Sequence, residues 1–357
     1  MTWGSSFKHW LCVVCLVFAV GLSAAGPARS ETLHILPEAG RADFLQAFAE
    51  ARSRIRIEIC VLEDPQILAG LQQALGRGVR VQVIVDNGKY QALAPERTNL
   101  ANYILASGGE LHLSNPIFPR SFPKVILIDD RKAIVGSACL DTTTFQQYRD
   151  YFLITLDRGL IRDLSTLFEN DWRHSAPPGS ESPPFNPTPR IFRPDLAVGP
   201  VTAASKLTAL IQSARRRIDV TSELLGNAAL ESELIAAAAR GVTVRLISPL
   251  CVNGATTEIQ NLQNSSLRKL SDLGVQVHVT GPVQSFQTPY MHARTMLVDG
   301  SRLYVGSISF SPDSTTFNRE LGLFLSAARP VRAYKARFDQ DFASLSTSYS
   351  TDCPNPP

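Results

Sequence analysis

A chain of 357 residues that is 44% hydrophobic holds enough apolar material for one large core or two medium ones. Its net charge of +3, spread without a long basic run, carries no nucleic-acid signature, although a local basic cleft stays open. Cys60, Cys139, Cys251 and Cys353 are too widely spaced for a zinc site and too few for a disulfide-stapled scaffold. A disulfide can form after export, but sequence cannot pair the sulfurs, and none is assigned. Cys60 lies inside an expected strand, where a buried free thiol is commonplace.

The first element is a leader. Lys8 and His9 precede an apolar run from Trp10 to Leu22, and Ser23-Ala24-Ala25 offers a small-x-small cleavage pattern. A signal peptide over 1–25 follows, giving a secreted or periplasmic protein, with an uncleaved signal anchor as the alternative. The run is shorter than the roughly 20 residues that span a bilayer, and Cys15 lacks a lipoprotein context.

A first lobe is read over 31–172. Ala51-Arg-Ser-Arg-Ile55 precedes a strand at Ile57–Leu62, followed by a helix that Gly78 closes and a buried strand opening at Val79-Arg80-Val81. A helix over Leu100–Ser107 and a strand over Glu110–Ser114 come next. From 173 to 200, Pro177, Pro178, Pro183, Pro184, Pro187, Pro189, Pro194 and Pro200 predict an extended linker. A second lobe, 201–345, then repeats the order. Ala214-Arg-Arg-Arg-Ile218 leads to a strand at Val220–Leu224, then a helix ended by Gly241, a strand at Val242-Thr243-Val244, a helix over Leu262–Leu273 and a strand over Val275–Thr280. The triplet Arg215–Arg217 reads as a solvated helix end, where cations suit the macrodipole. The tail 346–357 reads as disordered. Strands alternating with helices give an α/β class, and a repeat this long is a duplicated domain. Two such lobes pack naturally about a pseudo-twofold axis.

His292-Ala-Arg294-Thr-Met-Leu-Val-Asp299 closes the second repeat, and Phe122-Pro-Lys124-Val-Ile-Leu-Ile-Asp129 stands 170 residues before it. The same offset relates Gly136-Ser137 to Gly306-Ser307 and Arg149-Asp150 to Arg319-Glu320. Strand alternation points His292 and Arg294 to one side. Asp299-Gly300 is a turn signal, which suits Asp299 to a hairpin or supporting role. A histidine beside a guanidinium, with serine donors after a glycine, suits a phosphoryl oxyanion.

This constellation resembles the phospholipase D superfamily, whose signature is His-x-Lys-x4-Asp-x6-Gly-Ser followed by Asn-x-Glu. The likeness covers residues 40 to 345 and is best over Pro289 to Leu323, including Gly306-Ser307-Ile308-Ser309 and Asn318-Arg319-Glu320. It implies two repeated phospholipase D/nuclease-like lobes, each a mixed β-sheet flanked by helices. It also implies a phosphohistidine mechanism without a cofactor or metal, in which one histidine attacks phosphorus and another moves the proton. Carried over by position, His292, Arg294, Lys124, Asp299, Glu320 and Asp150 are the candidate catalytic residues. Ser307, Ser137, Ser309 and Asp129 are the candidate substrate contacts. Either Asp150 or Glu320 would orient His292. Phe122 replaces the first histidine, Arg294 replaces a lysine, Cys139 and Ser309 stand where asparagine is common, and Tyr148 and Asp150 replace the first Asn-x-Glu.

Two functions follow from the resemblance. One is an exported phosphodiesterase or phosphatidyltransferase, acting as a monomer on phospholipid ahead of nucleic acid, with peripheral contact to a membrane surface. Lys124, water or another group would then stand in for the lost proton donor. The other is a pseudoenzyme that binds phosphate or lipid headgroups without turnover. Elsewhere, His112 and His278 read as structural or surface residues, and His34 and His174 as surface residues. Phe118, Phe122, Phe286 and Tyr290 read as loop packing near the motifs.

Overall fold

A computed structural model of the chain describes residues 1–2, 31–93, 95–186, 191, 193–281 and 287–345. Residues 3–30, which include most of the segment expected to be a leader, and also Phe286, Cys353 and the tail 346–357 lie outside them. Among the described residues no helix is long and apolar enough to cross a membrane.

The first lobe carries strands β1 (Thr32–Leu36), β2 (Arg54–Ile59), β3 (Arg80–Val85), β4 (Glu110–Leu113), β5 (Val125–Ile128), β6 (Lys132–Gly136) and β7 (Tyr148–Thr155). The second carries β8 (Leu196–Val198), β9 (Arg217–Ser222), β10 (Thr243–Pro249), β11 (Gln276–Thr280), β12 (Tyr290–Met291), β13 (Arg294–Val298), β14 (Arg302–Gly306) and β15 (Leu321–Leu325). The sheet orders are β1-β7-β6-β5-β2-β3-β4 and β11-β10-β9-β13-β14-β15-β8, the same topology read from opposite ends. In each, parallel pairs such as β2·β3 and β9·β10 adjoin antiparallel pairs such as β5·β6 and β13·β14. These are two mixed α/β sheets.

Local sequence explains the elements. Asp64 accepts hydrogen bonds from the amides of Gln66 and Ile67, with Pro65 opening that helix, and Asn227 caps the equivalent helix through Leu230 N. Gly78 and Gly241 both stand at φ +85° just past those helices, a conformation that costs glycine little. The run Val125-Ile-Leu-Ile128 is buried on both faces. Ile126 and Ile128 join the first lobe's outer core, while Val125 and Leu127 join a central core containing Leu297, Leu303, Val305 and Leu323 of the second lobe.

The lobes interlock reciprocally. Met291 of β12 pairs with Arg149 of β7, and Ser121 pairs with Arg319, each the 170-residue counterpart of the other. The side chains follow the same exchange. Arg149 reaches Asp341 through Nε and Nη2 at 2.7 and 3.1 Å, and Arg319 reaches Asp171 at 2.9 Å. Both acids lie on the helices that end their lobes, Arg158–His174 and Ala328–Ser344.

Several expectations change. The linker contains β8, which pairs with β15, because an edge strand between Pro194 and Pro200 needs few ladder donors. Cys60 and Cys139 are joined in a disulfide, their Cα atoms 5.6 Å apart, which strand order makes neighbours despite a separation of 79 residues. His34 is buried, its Nδ1 2.7 Å from Asp43 and its Nε2 2.9 Å from Gly40 O. His112 and His278 are half-buried and stack on Trp172 and Phe342 with ring centroids 3.8 and 3.6 Å apart, a matched structural pair. Arg215–Arg217 lie beyond the helix Ala203–Gln212, and their backbone amides donate to Asp299.

A buried arginine left without its carboxylate is costly. Asp171→Ala is expected to lower unfolding stability by about 3–5 kcal/mol, and Asp171→Leu with Arg319→Met by much less. Urea denaturation of both variants checks this.

Candidate functional site

The two motifs meet where the lobes interlock. His292 immediately follows β12, two residues before β13 opens at Arg294, and its Nδ1 stands 2.8 Å from Asp150 Oδ2 on β7 of the other lobe. Asp150 is fully buried, and its second oxygen accepts from Ser137 Oγ at 2.6 Å. With Asp150 ionised, Nδ1 carries the proton and Nε2 the lone pair. Asp150, not Glu320, therefore orients His292. Glu320 accepts from Ser314 Oγ at 2.8 Å and Asn318 Nδ2 at 3.1 Å.

Arg294 lies against the imidazole, its Nη1 3.0 and 3.1 Å from the two ring nitrogens. The same Nη1 donates to Ser137 O at 2.9 Å and His292 O at 2.7 Å, and Nε donates to Ser309 Oγ at 3.1 Å. Lys124 also donates to Ser137 O, at 2.5 Å. One carbonyl of the Gly136-Ser137 turn thus gathers the cations of both motifs. Lys124 stands at φ +53°, a strained conformation for a residue with a Cβ, whereas Arg294 lies within a strand. Phe122 is partly buried against the first lobe's outer core, with Lys124 Nζ 5.8 Å from its ring centroid.

Electrostatics follow from burial. Desolvation, then the Arg294 charge, holds the His292 pKa well below its ordinary value, so the ring is neutral at pH 7. The same two causes lower Lys124 to about 7. Burial raises Asp150 to about 6 and Glu320 to about 7.

The remaining candidates fall elsewhere. Asp299 and Asp129 each turn at φ +51° and accept backbone amides, from Arg215, Arg216 and Arg217 and from Arg52, Ser53 and Arg54. Asp299 lies five residues past Arg294, about 16 Å along an extended chain. The structure does not bring these two carboxylates to the site. The Ser307 hydroxyl is committed to the backbone of Leu321, at 3.1 and 3.3 Å.

Sequence reasoning missed two residues. Glu223, inside the run read as a strand, pairs with Arg294 and stands 3.6 Å from His292 Nε2. A carboxylate between Ser222 and Leu224 in a strand-like run was the available signal. Tyr148 stacks on His292 with centroids 5.1 Å apart and accepts from Asn253 across the lobes at 3.0 Å. Among the described residues no group of three or more His, Cys, Asp or Glu is placed to hold a metal ion.

A family model described as "Cardiolipin synthase, PLD-like domain" matches residues 44–172 and 207–342, one copy per lobe. The chain belongs to the phospholipase D superfamily. This phospholipase D-like protein is 24% identical over 325 residues to a probable cardiolipin synthase of Bacillus subtilis, covering 84% of the chain and 63% of that relative. It is also 24% identical over 342 residues to a cardiolipin synthase of Geobacillus kaustophilus, covering 86% and 65%. It therefore spans just under two thirds of either relative. Among solved structures, phosphatidylserine synthase of Haemophilus influenzae superposes with a TM-score of 0.69 at 11% identity, covering 89% of this chain and 88% of that one. A polyphosphate kinase of Porphyromonas gingivalis gives 0.64 at 17% identity, covering 91% and 51%. At these identities the structural likeness concerns the fold.

Asp299→Ala removes an acceptor from three amides. It is expected to cost about 1–3 kcal/mol of stability while leaving the environment of His292 unchanged, as seen by thermal unfolding and the histidine NMR resonances.

Proposed function

We propose that this chain is a phosphodiesterase or phosphatidyltransferase working through a phosphohistidine on His292, with a phospholipid as substrate. The observation that carries this is the His292–Asp150 hydrogen bond between lobes. It fixes the tautomer that leaves Nε2 nucleophilic, beside the guanidinium of Arg294. In the first step Nε2 bonds to phosphorus and the P–O bond to the leaving alcohol breaks, the alcohol taking a proton from Lys124. In the second, neutral Lys124 removes a proton from water or an acceptor alcohol, whose oxygen bonds to phosphorus as the N–P bond breaks. A lysine held near pH 7 can serve both steps. Asp150 stabilises the charge that develops on the ring during attack.

Phospholipid is supported by the relatives, which are named as phospholipid synthases. Action outside the cytoplasm, at a membrane surface, is supported by the leader read over 1–25 and by the Cys60–Cys139 disulfide. One observation favours a second reading, a headgroup-binding module without turnover. Phe122 occupies the place of an imidazole, and a phenyl ring can move no proton.

Assays on phosphatidylcholine vesicles with and without glycerol, on bis(4-nitrophenyl) phosphate and on single-stranded DNA separate these. The expected result is turnover that His292→Ala abolishes and Asp150→Asn lowers by roughly 10²–10⁴-fold. As the donor in the first step, Lys124 must be protonated, so activity on an alkyl leaving group should fall as pH rises above about 7. No turnover in the wild type, with headgroup binding retained, would establish the second reading instead.

A further inference from the structure

The guanidinium of Arg294 is nearly fully engaged. Its Nε holds Ser309 Oγ and its Nη1 holds two carbonyls, leaving Nη2, which is paired with Glu223. The carboxylate of Glu223 is fixed on its other side by Tyr290, whose hydroxyl donates at 3.0 Å, and it is only 8% exposed. A phosphoryl group approaching His292 Nε2 needs an oxygen on that same Nη2. It must therefore lie directly against Glu223, whose Oε2 is 3.6 Å from the attacking nitrogen.

The two halves differ here. Glu223 immediately follows β9 as Cys60 follows β2, and Cys60 is closed into the disulfide with Cys139. Lys124 thus has an uncharged sulfur at the position where Arg294 has a carboxylate. Arg294 and Lys124 face Glu223, Asp150 and Glu320, so the cleft has little positive charge left for a ligand. Burial alone would raise Glu223, yet the Arg294 charge holds it below the usual carboxylate range, so it stays charged.

We propose that Glu223 is a specificity-determining residue that limits the phosphoryl subsite to one negative charge, admitting phosphodiester monoanions and rejecting phosphomonoester dianions. The proposal rests on His292 and Arg294 being a phosphoryl site, but not on turnover. A second unit charge within about 4 Å of a fixed, poorly solvated carboxylate disfavours binding by roughly one to three powers of ten.

The test compares dissociation constants of dimethyl phosphate and methyl phosphate by calorimetry at pH 8, where the monoester is a dianion (second pKa about 6). Wild type is expected to favour the diester at least about tenfold. Glu223→Gln should shrink that ratio about tenfold or more, whereas Glu223→Asp should retain it. If Glu223→Gln does not fold, Glu223→Ala supplies the uncharged comparison. A wild type without diester preference, or an uncharged variant with an unchanged ratio, overturns the proposal alone. If neither ligand binds the folded wild type or the folded variants, the phosphoryl-site reading fails with it.

Discussion

The hydrogen bond from His292 to Asp150 sets the terms for everything else in this molecule. The two residues belong to different lobes, so the imidazole has its orientation only while the lobes stay interlocked. Alternation along β7 makes this economical. Asp150 turns to the site, while its neighbour Arg149 turns the other way to hold Asp341 of the second lobe. One strand both fastens the halves and aims the imidazole. The reciprocal contact, Arg319 with Asp171, stands beside Glu320, which is buried yet holds no histidine because its partner position is Phe122.

Duplication supplied two equivalent half-sites, and their divergence is chemical rather than architectural. Strand order is preserved on both sides, as are the stacked histidines His112 and His278 and the turn acids Asp129 and Asp299. The second half carries imidazole, guanidinium, hydroxyl and carboxylate in His292, Arg294, Ser309 and Glu223. At the matching positions the first carries Phe122, Cys139 and Cys60, and a lysine, Lys124, whose ammonium is poorly stabilised by burial. The first half still contributes Asp150, Ser137 and Lys124. Its loss is confined to one side of the cleft.

Much of this was legible in the sequence because it is local or repeated. Glycine-ended helices before β-branched runs gave the lobes, and the offset linking Gly136-Ser137 to Gly306-Ser307 and Arg149 to Arg319 gave their equivalence. Period two put His292 and Arg294 on one side. Strand adjacency was hidden, since it depends on sheet order rather than on nearby residues. That is why Cys60 and Cys139 read as separate thiols, why Glu223 passed as part of an ordinary strand, and why sequence left Asp150 and Glu320 as alternatives. Asp129 and Asp299 fell among the site residues by position in the motif, although their carboxylates satisfy amides at the far end of the strands. The proline-rich connector concealed β8 because an edge strand tolerates what a central one does not.

The central claim is that His292 Nε2 forms a bond to phosphorus. It is tested most directly by mixing the protein with bis(4-nitrophenyl) phosphate, quenching in base and mapping the phosphorylated peptide by mass spectrometry. The expected result is an acid-labile nitrophenyl-phosphoryl adduct on His292 that is absent from His292→Ala. Release of nitrophenol without an adduct on that residue, or an adduct on another side chain, would contradict it.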